Sequence, residues 1–255
     1  MVPDAKKNIV VIGAGIVGIG TAIWLARDGH NVTIVDAKGP AGGTSFGNAG
    51  ILANSSIVPV QTPGLIRKAP GMLFGRDGPL FLKWSYLARL FPWLRRYLSH
   101  CEVSEVERIS AALMAIIGDS VEQHLAIARG TPAERFIEPV DYTYAYRDRP
   151  AFLKDALAWR IRREHGFDFT EVQEQQLRSL EPSLGPDTTF AVQLPGHAWI
   201  RDPGAYVTAL CDHACSLGVK LRIAGVKRIT RSESGVQGVE TDNGFIACET
   251  LVVAA

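Results

Sequence analysis

The sequence predicts an α/β fold in which a parallel sheet with its crossover helix is interleaved with an α+β segment, and three observations predict it. A short β-branched run, NIVVI at residues 8–12, leads directly into a glycine-rich turn and a helical pattern. A second such strand, NVTIV, ends on Asp36 and is followed by a long stretch of small residues where another helix would begin. Beyond Ile51 amphipathic helical segments take over until about Glu181, after which short strands return.

Taken in order, NIVVI is the kind of run that is buried on both faces of a parallel sheet. Gly13-Ala14-Gly15-Ile16-Val17-Gly18 follows at once, and apolar residues then recur at helical spacing as far as Gly29, which suits a C-terminal cap. Strand, G-x-G-x-x-G, helix, strand and acid thus share a unit of about 30 residues, the arrangement that binds a dinucleotide. Gly13 makes the tight turn, Gly15 lets a pyrophosphate approach the backbone, and Gly18 lets helix and strands lie close, with Ala22 extending the small face one turn later. Unpaired N–H groups at the helix start attract the pyrophosphate. Asp36 suits a two-oxygen grip on an adenosine ribose, and its charge argues against the 2′-phosphate of NADP. These residues alone leave FAD and NAD both open.

The stretch AKGPAGGTSFGNAGIL cannot be a stable helix given its glycines. It stays near the cofactor as an extended loop whose backbone N–H groups, with Thr44, Ser45 and Asn48, meet phosphates and a polar ring system. The span VVIGAGIVGIGTAIWLARDGHNVTIVDAKGPAGGTSFGNAG resembles the opening of the FAD-dependent D-amino-acid oxidase superfamily, most closely that of bacterial D-amino-acid dehydrogenases. EPSLGPDTTFAVQLPGHAWIRDPGAYVTALCDHACSLGVKL resembles the stretch in which those enzymes pass from substrate domain back to FAD domain. The match is looser between the two.

The resemblance implies a Rossmann-like FAD-binding domain of the glutathione-reductase type, supplied by residues 1–60 and 201–255, interleaved with a partial α+β substrate or cap domain over 61–200. It implies that Gly13, Gly15 and Gly18, with Ala14, Ile16 and Val17 between them, hold the pyrophosphate, and that Asp36, beside Ala37, holds the ribose. Thr44 and Ser45 would meet the diphosphate or ribityl region, Asn48, Ala49 and Gly50 would lie along the isoalloxazine, and the backbone of Val226 would meet the adenine. Small residues suit the ring because backbone must lie flat against it.

The activity implied is oxidation of the Cα–N bond of a D-amino acid or related amine by hydride transfer to flavin N5, giving an imino acid that water converts to oxo acid and ammonia. Electrons would pass to a quinone or another acceptor. The alternatives are a sarcosine or glycine type of oxidase that uses oxygen, or a non-catalytic flavin-binding subunit or fragment. The closing VVAA resembles the strand after which the family supplies a further glycine and the rest of both domains, so a truncated chain, its second half missing, is expected. In HAWIRDP a period of two puts His197, Trp199 and Arg201 on one side. Catalytic residues stay unassigned, with Arg201 as a candidate partner for a substrate carboxylate and His197 as a candidate for proton removal. A plain solvated edge face is the competing reading of both.

At 255 residues, 47% hydrophobic, the chain can bury one sizeable core or two small ones, and a formal charge of +1 excludes a nucleic-acid partner on field alone. Its four cysteines show no metal-ligand spacing; Cys211 and Cys215 share a helix face and read as packing, so no metal is expected and a reduced, cytoplasmic setting is. No run of about 18 uncharged apolar residues occurs. Residues 65–98 carry Arg67, Lys68, Arg76, Lys83, Arg89, Arg95 and Arg96 against Asp77 alone, mixed with Trp84, Tyr86, Phe91 and Trp93. This reads either as a cap whose basic residues reach out from an apolar face, or as peripheral contact with the cytoplasmic face of the inner membrane, where a quinone would collect electrons. SEVERISAALMAIIGDSVEQHLAIA and AYVTALCDHACSLG read as helices, and YTYAYRD, VKLRI, GVKRIT, GVQGVET and FIACETLVVAA as strands.

Overall fold

The computed structural model of the chain describes residues 5–65, 73, 81, 83–233 and 235–255. The chain divides into two compact units, one of residues 1–52, 121–140 and 198–255 and one of residues 53–120 and 141–197. Beside the segments 1–60, 61–200 and 201–255 expected from the sequence, the outer changes of unit fall at 52/53 and 197/198, and residues 121–140 lie in the first unit.

The first unit is built on β1 (Asn8–Ile12), α1 (Ile16–Arg27) and β2 (Asn31–Asp36). β1 is an inner strand of a parallel sheet: Val10 lies opposite Leu251 of strand Thr250–Val253 on one side and Thr33 of β2 on the other, and β2 pairs onward with strand Lys220–Ile223. Its middle residues are buried on both faces, as the branched run predicts. Ile9, Val11 and Ile34 face Ile19, Ala22 and Ile23 of α1 and Val207 and Leu210 of helix Pro203–Ser216. Val10 and Val35 face the other way, against Ala224, Val239 and Cys248, where an antiparallel sheet of strands Val226–Ser232, Gly235–Thr241 and Gly244–Ala247 covers them. Each fully buried branched side chain contributes roughly 1.5–3 kcal/mol relative to exposure. α1 can start so close to the turn because a Cβ on Gly18 would collide with the Gly13 carbonyl oxygen. Asp28 caps its C-terminus, and Gly29 just beyond takes φ 89° and donates its N–H to the Ala26 carbonyl at 3.0 Å.

Two expected elements are divided. FIACETLVVAA becomes two strands, because the backbone is handed between sheets at its middle: Cys248 N–H donates to the Gln237 carbonyl at 3.0 Å and Glu249 N–H to the Asn8 carbonyl at 2.9 Å. The pattern SEVERISAALMAIIGDSVEQHLAIA breaks into helices Val103–Ile117 and Ser120–Ala128. Gly118 caps the first, and a Cβ there would meet the carbonyl and side chain of Met114 folded over it at 2.6 Å. The second helix and the residues after it join the core of the first unit through Val121, Ile127, Ala128 and Ala133.

The second unit packs through aromatic rings. Strand Thr170–Gln173 runs antiparallel to the first part of strand Phe190–Ile200, and Phe152, Trp159, Phe190, Val192 and Leu194 form the buried cluster on it. Trp159 lies 4.8 Å from Phe169 and 5.1 Å from Tyr144 between ring centroids, and its Nε1–H donates to Tyr146 Oη at 2.9 Å. Burial pushes the Tyr146 phenol up to about 12. Arg162 is buried with its guanidinium 4.7 Å from the rings of both Tyr144 and Trp159, and its Nε donates to the Ser55 carbonyl at 3.1 Å. Arg178 donates to the carbonyls of Leu184, Gly185, Pro186 and Thr188, which pins that loop. Of the basic and aromatic segment, Arg67, Lys68, Arg76 and Asp77 lie outside the described residues; helix Leu87–Ser99 is described, and no residue in it is buried.

Candidate dinucleotide-binding site

The turn after β1 and the loop after β2 face each other across a cleft of about 500 Å³, entirely within the first unit. Gly13, Gly15, Asp36, Ala37, residues 42–45 and Val226 line it. Gly13 takes φ 110°, a left-handed conformation that favours glycine, and a Cβ on it would meet the Ala254 carbonyl oxygen at 2.5 Å. Ala14 is buried in the core beneath, and Val17 is exposed on the first turn of α1.

The helix start carries the electrostatics. α1 has no acid in its first turn and no capping side chain on Gly15, so its N-terminal partial positive charge is uncompensated locally. Ser45, 29 positions away, supplies one partner: its Oγ accepts the Ile16 N–H at 3.0 Å. The amides of Gly15, Val17 and Gly18 have no protein partner among the described residues. Opposite them Asp36 Oδ2 accepts the Ala14 N–H at 2.9 Å, while Oδ1 accepts those of Lys38 and Gly39 at 2.7 and 2.8 Å. An ionised carboxylate offers about four acceptor sites. Asp36 therefore stitches the glycine turn to the end of β2, and a two-oxygen grip on a ribose would compete with bonds it already accepts.

The glycine loop continues to a second, smaller cavity of about 130 Å³, which Ser45 lines together with Ile16, Asn48 and Gly50. Asn48 organises its own loop: Nδ2 donates to the Thr44 carbonyl at 3.2 Å and Oδ1 accepts the Gly50 N–H at 2.9 Å. The Ala49 carbonyl accepts Trp199 Nε1–H at 2.9 Å, and the Gly50 carbonyl accepts the Ile200 N–H at 2.7 Å. Gly50 takes φ 68°, and a Cβ on it would run into the Ile200 carbonyl oxygen. Thr44 and Ser45 thus sit at the first cavity and Asn48 and Gly50 at the second, so the loop spans both.

The sequence reading missed two residues of the second cavity, His124 and Tyr206. Tyr206 is buried, its hydroxyl lies 2.9 Å from His124 Nδ1, and burial raises its pKa and lowers that of His124. The phenol and the imidazole share one hydrogen bond, whose donor is set by the His124 tautomer. Their 82-residue separation leaves no local signal in the chain.

Partnerless amides at a helix start, a carboxylate across from them and a glycine floor that a side chain would fill together fit a dinucleotide. The two catalytic candidates sit elsewhere. His197 lies in the second unit, buried, and its Nδ1–H donates to the Pro195 carbonyl at 3.1 Å. Its Nε2 therefore accepts from Ser55 Oγ, 2.8 Å away. Burial pushes its pKa down, against the carbonyls of Pro195 and Leu194 and the charge of Asp141. Arg201 lies in the first unit just past the strand end, with Nε 3.0 Å from Glu138 Oε1 and Nη2 donating to the Arg135 carbonyl at 2.7 Å. Glu138 and the Arg135 carbonyl thus already engage two of the three guanidinium nitrogens of Arg201. Trp199, of the same strand parity, is spent on the Ala49 carbonyl.

Among the described residues no helix is long and apolar enough to cross a membrane, and no group of three or more His, Cys, Asp or Glu is placed to hold a metal ion. The family model described as "DAO: FAD dependent oxidoreductase" matches residues 8–255. The chain is 38% identical over 252 residues to a D-amino-acid oxidase of Bradyrhizobium diazoefficiens, covering 98% of this chain and 60% of that protein. It is 31% identical over 261 residues to D-amino acid dehydrogenase 2 of Ralstonia nicotianae, covering 97% and 60%. Among solved structures, glycine oxidase from Bacillus cereus matches at TM-score 0.64 and 20% identity over 98% of this chain and 55% of its own, and L-proline dehydrogenase from P. horikoshii at 0.63 and 19% over 98% and 53%. Likeness at that identity shows the fold alone. The chain spans about 60% of the length of the curated relatives it matches.

Proposed function

The chain belongs to the DAO family of FAD-dependent oxidoreductases, and from that membership we propose that it binds FAD in the glycine-lined cleft and oxidises the Cα–N bond of a D-amino acid or related amine. The product would be an imino acid, which water hydrolyses to oxo acid and ammonia. The observation that carries the reading is the row of partnerless amides at the start of α1, facing Asp36 across a cleft floored by Gly13 and Gly15. The amides of Gly15, Val17 and Gly18 and the Ser45 hydroxyl would hold the diphosphate, Asp36 the adenosine ribose, and the backbone at Val226 the adenine. The loop at Asn48, Ala49 and Gly50 would present backbone to the ring, and the hydrogen-bonded pair His124 and Tyr206 would line the second cavity. FAD, when bound, supplies the acceptor for the electron pair of the substrate's Cα–H bond. Orientation and exclusion of water fall to the protein.

The relative at 38% identity is named an oxidase and the one at 31% a dehydrogenase, so oxygen and a quinone are both proposed as acceptors, to be separated by measurement. Anaerobic mixing of the purified, flavin-loaded protein with panels of D-amino acids and of N-methyl amino acids tests the reading. Bleaching of the flavin by the first panel is expected, and reoxidation by a quinone or by oxygen names the acceptor. Bleaching by N-methyl substrates alone would move it to a sarcosine type of oxidase. A protein that binds FAD and is bleached by neither panel would be a flavin-binding chain without turnover, and one that binds no FAD would overturn the proposal. We place its action in the cytoplasm or at the cytoplasmic face of a membrane.

A further inference from the structure

Tyr206 and His124 put a hydrogen bond where packing alone asks for none. Tyr206 is 1% exposed on helix Pro203–Ser216, beside Val207, Leu210, Cys211 and Ala214 of the first unit's core, and a phenylalanine would fill nearly the same volume. A buried hydroxyl costs stability unless it is paired. Its partner comes from helix Ser120–Ala128, in the stretch 121–140 that the chain returns to the first unit. Tyr206 Oη lies 2.9 Å from His124 Nδ1, with ring centroids 5.7 Å apart. The imidazole has no second partner among the described residues, so Nε2 keeps one hydrogen bond to make in either tautomer.

The place of the pair narrows what that bond is for. Both residues line the second cavity, together with Ser45, Asn48 and Gly50 of the glycine loop and the aliphatic Ile16, Ile200 and Val207. At about 130 Å³ the cavity is small beside the roughly 300–1,000 Å³ of a pocket that takes a whole ligand, so it suits one segment of a larger molecule. Ser45 also lines the first cleft, so a ligand held there by its diphosphate has its next segment at this cavity. No carboxylate, lysine or arginine lines it, and Tyr206 is the one titratable group that faces His124. Burial alone lowers the His124 pKa from the ordinary 6.5, so the imidazole is neutral at neutral pH. A neutral ring at a partly apolar wall matches a neutral polar group, whereas the phosphates belong at the start of α1.

We propose that His124 is a binding residue for the flavin half of FAD, its imidazole hydrogen-bonding a neutral polar group of the segment beyond the diphosphate, and that Tyr206 is the residue that positions it. The inference rests on the proposed FAD site and adds to it a contact that the glycine turn, Asp36 and the loop do not supply. The competing account is a pair that only ties two helices of the core together. That pair would change stability, but it would not distinguish FAD from ADP, which lacks the flavin half.

Isothermal titration of the purified chain with FAD and with ADP at pH 8 tests it without substrate or turnover. His124→Leu should weaken FAD binding roughly fivefold, the worth of about one hydrogen bond, and leave ADP binding unchanged, which also shows that the variant is folded. Tyr206→Phe keeps the ring and removes the hydroxyl, so it should weaken FAD by a smaller factor and again spare ADP. His124→Gln retains a donor and an acceptor and should recover part of the loss. A ligand that covers His124 lowers its pKa further, so parental FAD affinity should fall as pH drops below about 6.5, and H124L should be flat over the same range. Should H124L not fold, Y206F and H124Q carry the same comparison. The proposal is overturned if the variants weaken FAD and ADP together, if FAD affinity is unchanged in all of them, or if H124L keeps the parental pH dependence. A parent that binds ADP but not FAD would remove the FAD reading and this inference with it, whereas parental FAD affinity in the variants would remove this inference alone.

Discussion

The two units bury opposite kinds of residue. The first closes a parallel sheet with branched aliphatic side chains and lines its cleft largely with glycine and backbone; the second sets aromatic rings against one another around Trp159 and seals a guanidinium among them. In the first, what must be kept is the absence of a side chain; in the second, it is the presence of one. Adding a methyl group should harm the first, and removing a ring should harm the second.

The largest effect expected is Trp159→Ala. It removes contacts with Tyr144, Phe152 and Phe169, the Tyr146 hydrogen bond and one face of the Arg162 clamp. Such a truncation costs about 4 kcal/mol, which urea unfolding reads directly, and FAD affinity of the protein that stays folded should not change. A parallel fall in FAD affinity would break the contrast between the units. Gly18→Ala comes next, because the new methyl group meets the Gly13 carbonyl, which is backbone and cannot swing away. About 2–3 kcal/mol of destabilisation and roughly tenfold weaker FAD binding by flavin-fluorescence titration are expected together, since the strain sits at the proposed cofactor cleft.

Asp36→Ala leaves the amides of Ala14, Lys38 and Gly39 without their acceptor. Hydrogen bonds to a charged group are worth about 1.5–3 kcal/mol each, with much recovered from water at this partly exposed site. A roughly 30-fold rise in the FAD dissociation constant, equivalent to about 2 kcal/mol, is the expected result. Retention of full affinity would mean that Asp36 serves only the turn.

His197 gives the second unit an acid sensitivity. Its buried imidazole is neutral in the folded state, with a pKa lowered chiefly by burial from the ordinary 6.5. On acidification the unfolded chain takes up this proton first, so the contribution is complete above about pH 6.5 and is lost as pH falls below it, with a slope of up to about 1.4 kcal/mol per pH unit. Urea midpoints between neutral and mildly acidic pH check the sign. Ser55→Ala, which leaves Nε2 without its donor, should itself cost about 1 kcal/mol. The smallest effect expected is Arg201→Leu. The Arg201–Glu138 pair is about half exposed and screened by solvent, so its loss should change stability by less than about 1 kcal/mol. KM should stay unchanged if Arg201 serves Glu138, whereas a steep rise in KM would assign it to the substrate.

Much of the first unit is legible in the chain. The order strand, glycine turn, helix, strand, acid is encoded within about 30 residues by side-chain period and by glycine, and α1 begins after Gly15 and ends at Asp28 accordingly. The loop at 42–50 can be read the same way, since glycine density excludes a helix without reference to anything distant. Less of the second unit is legible. Its ring cluster draws on Tyr144, Phe152, Trp159, Phe169 and Phe190, which follow no single period. His197 looks like one of an alternating polar face until its burial against Ser55, 142 positions away, is seen.

The sequence by itself determined the backbone frame of the proposed nucleotide site: where the turn tightens, where the helix can start and which acid ends β2. These depend on conformational preferences that each residue carries locally. Tertiary structure decided the partners. Ser45 reaches the start of α1, Tyr206 meets His124, and Glu138 holds Arg201. A hydrogen bond or a buried face is a relation between two positions in space, and local periodicity describes only one of them.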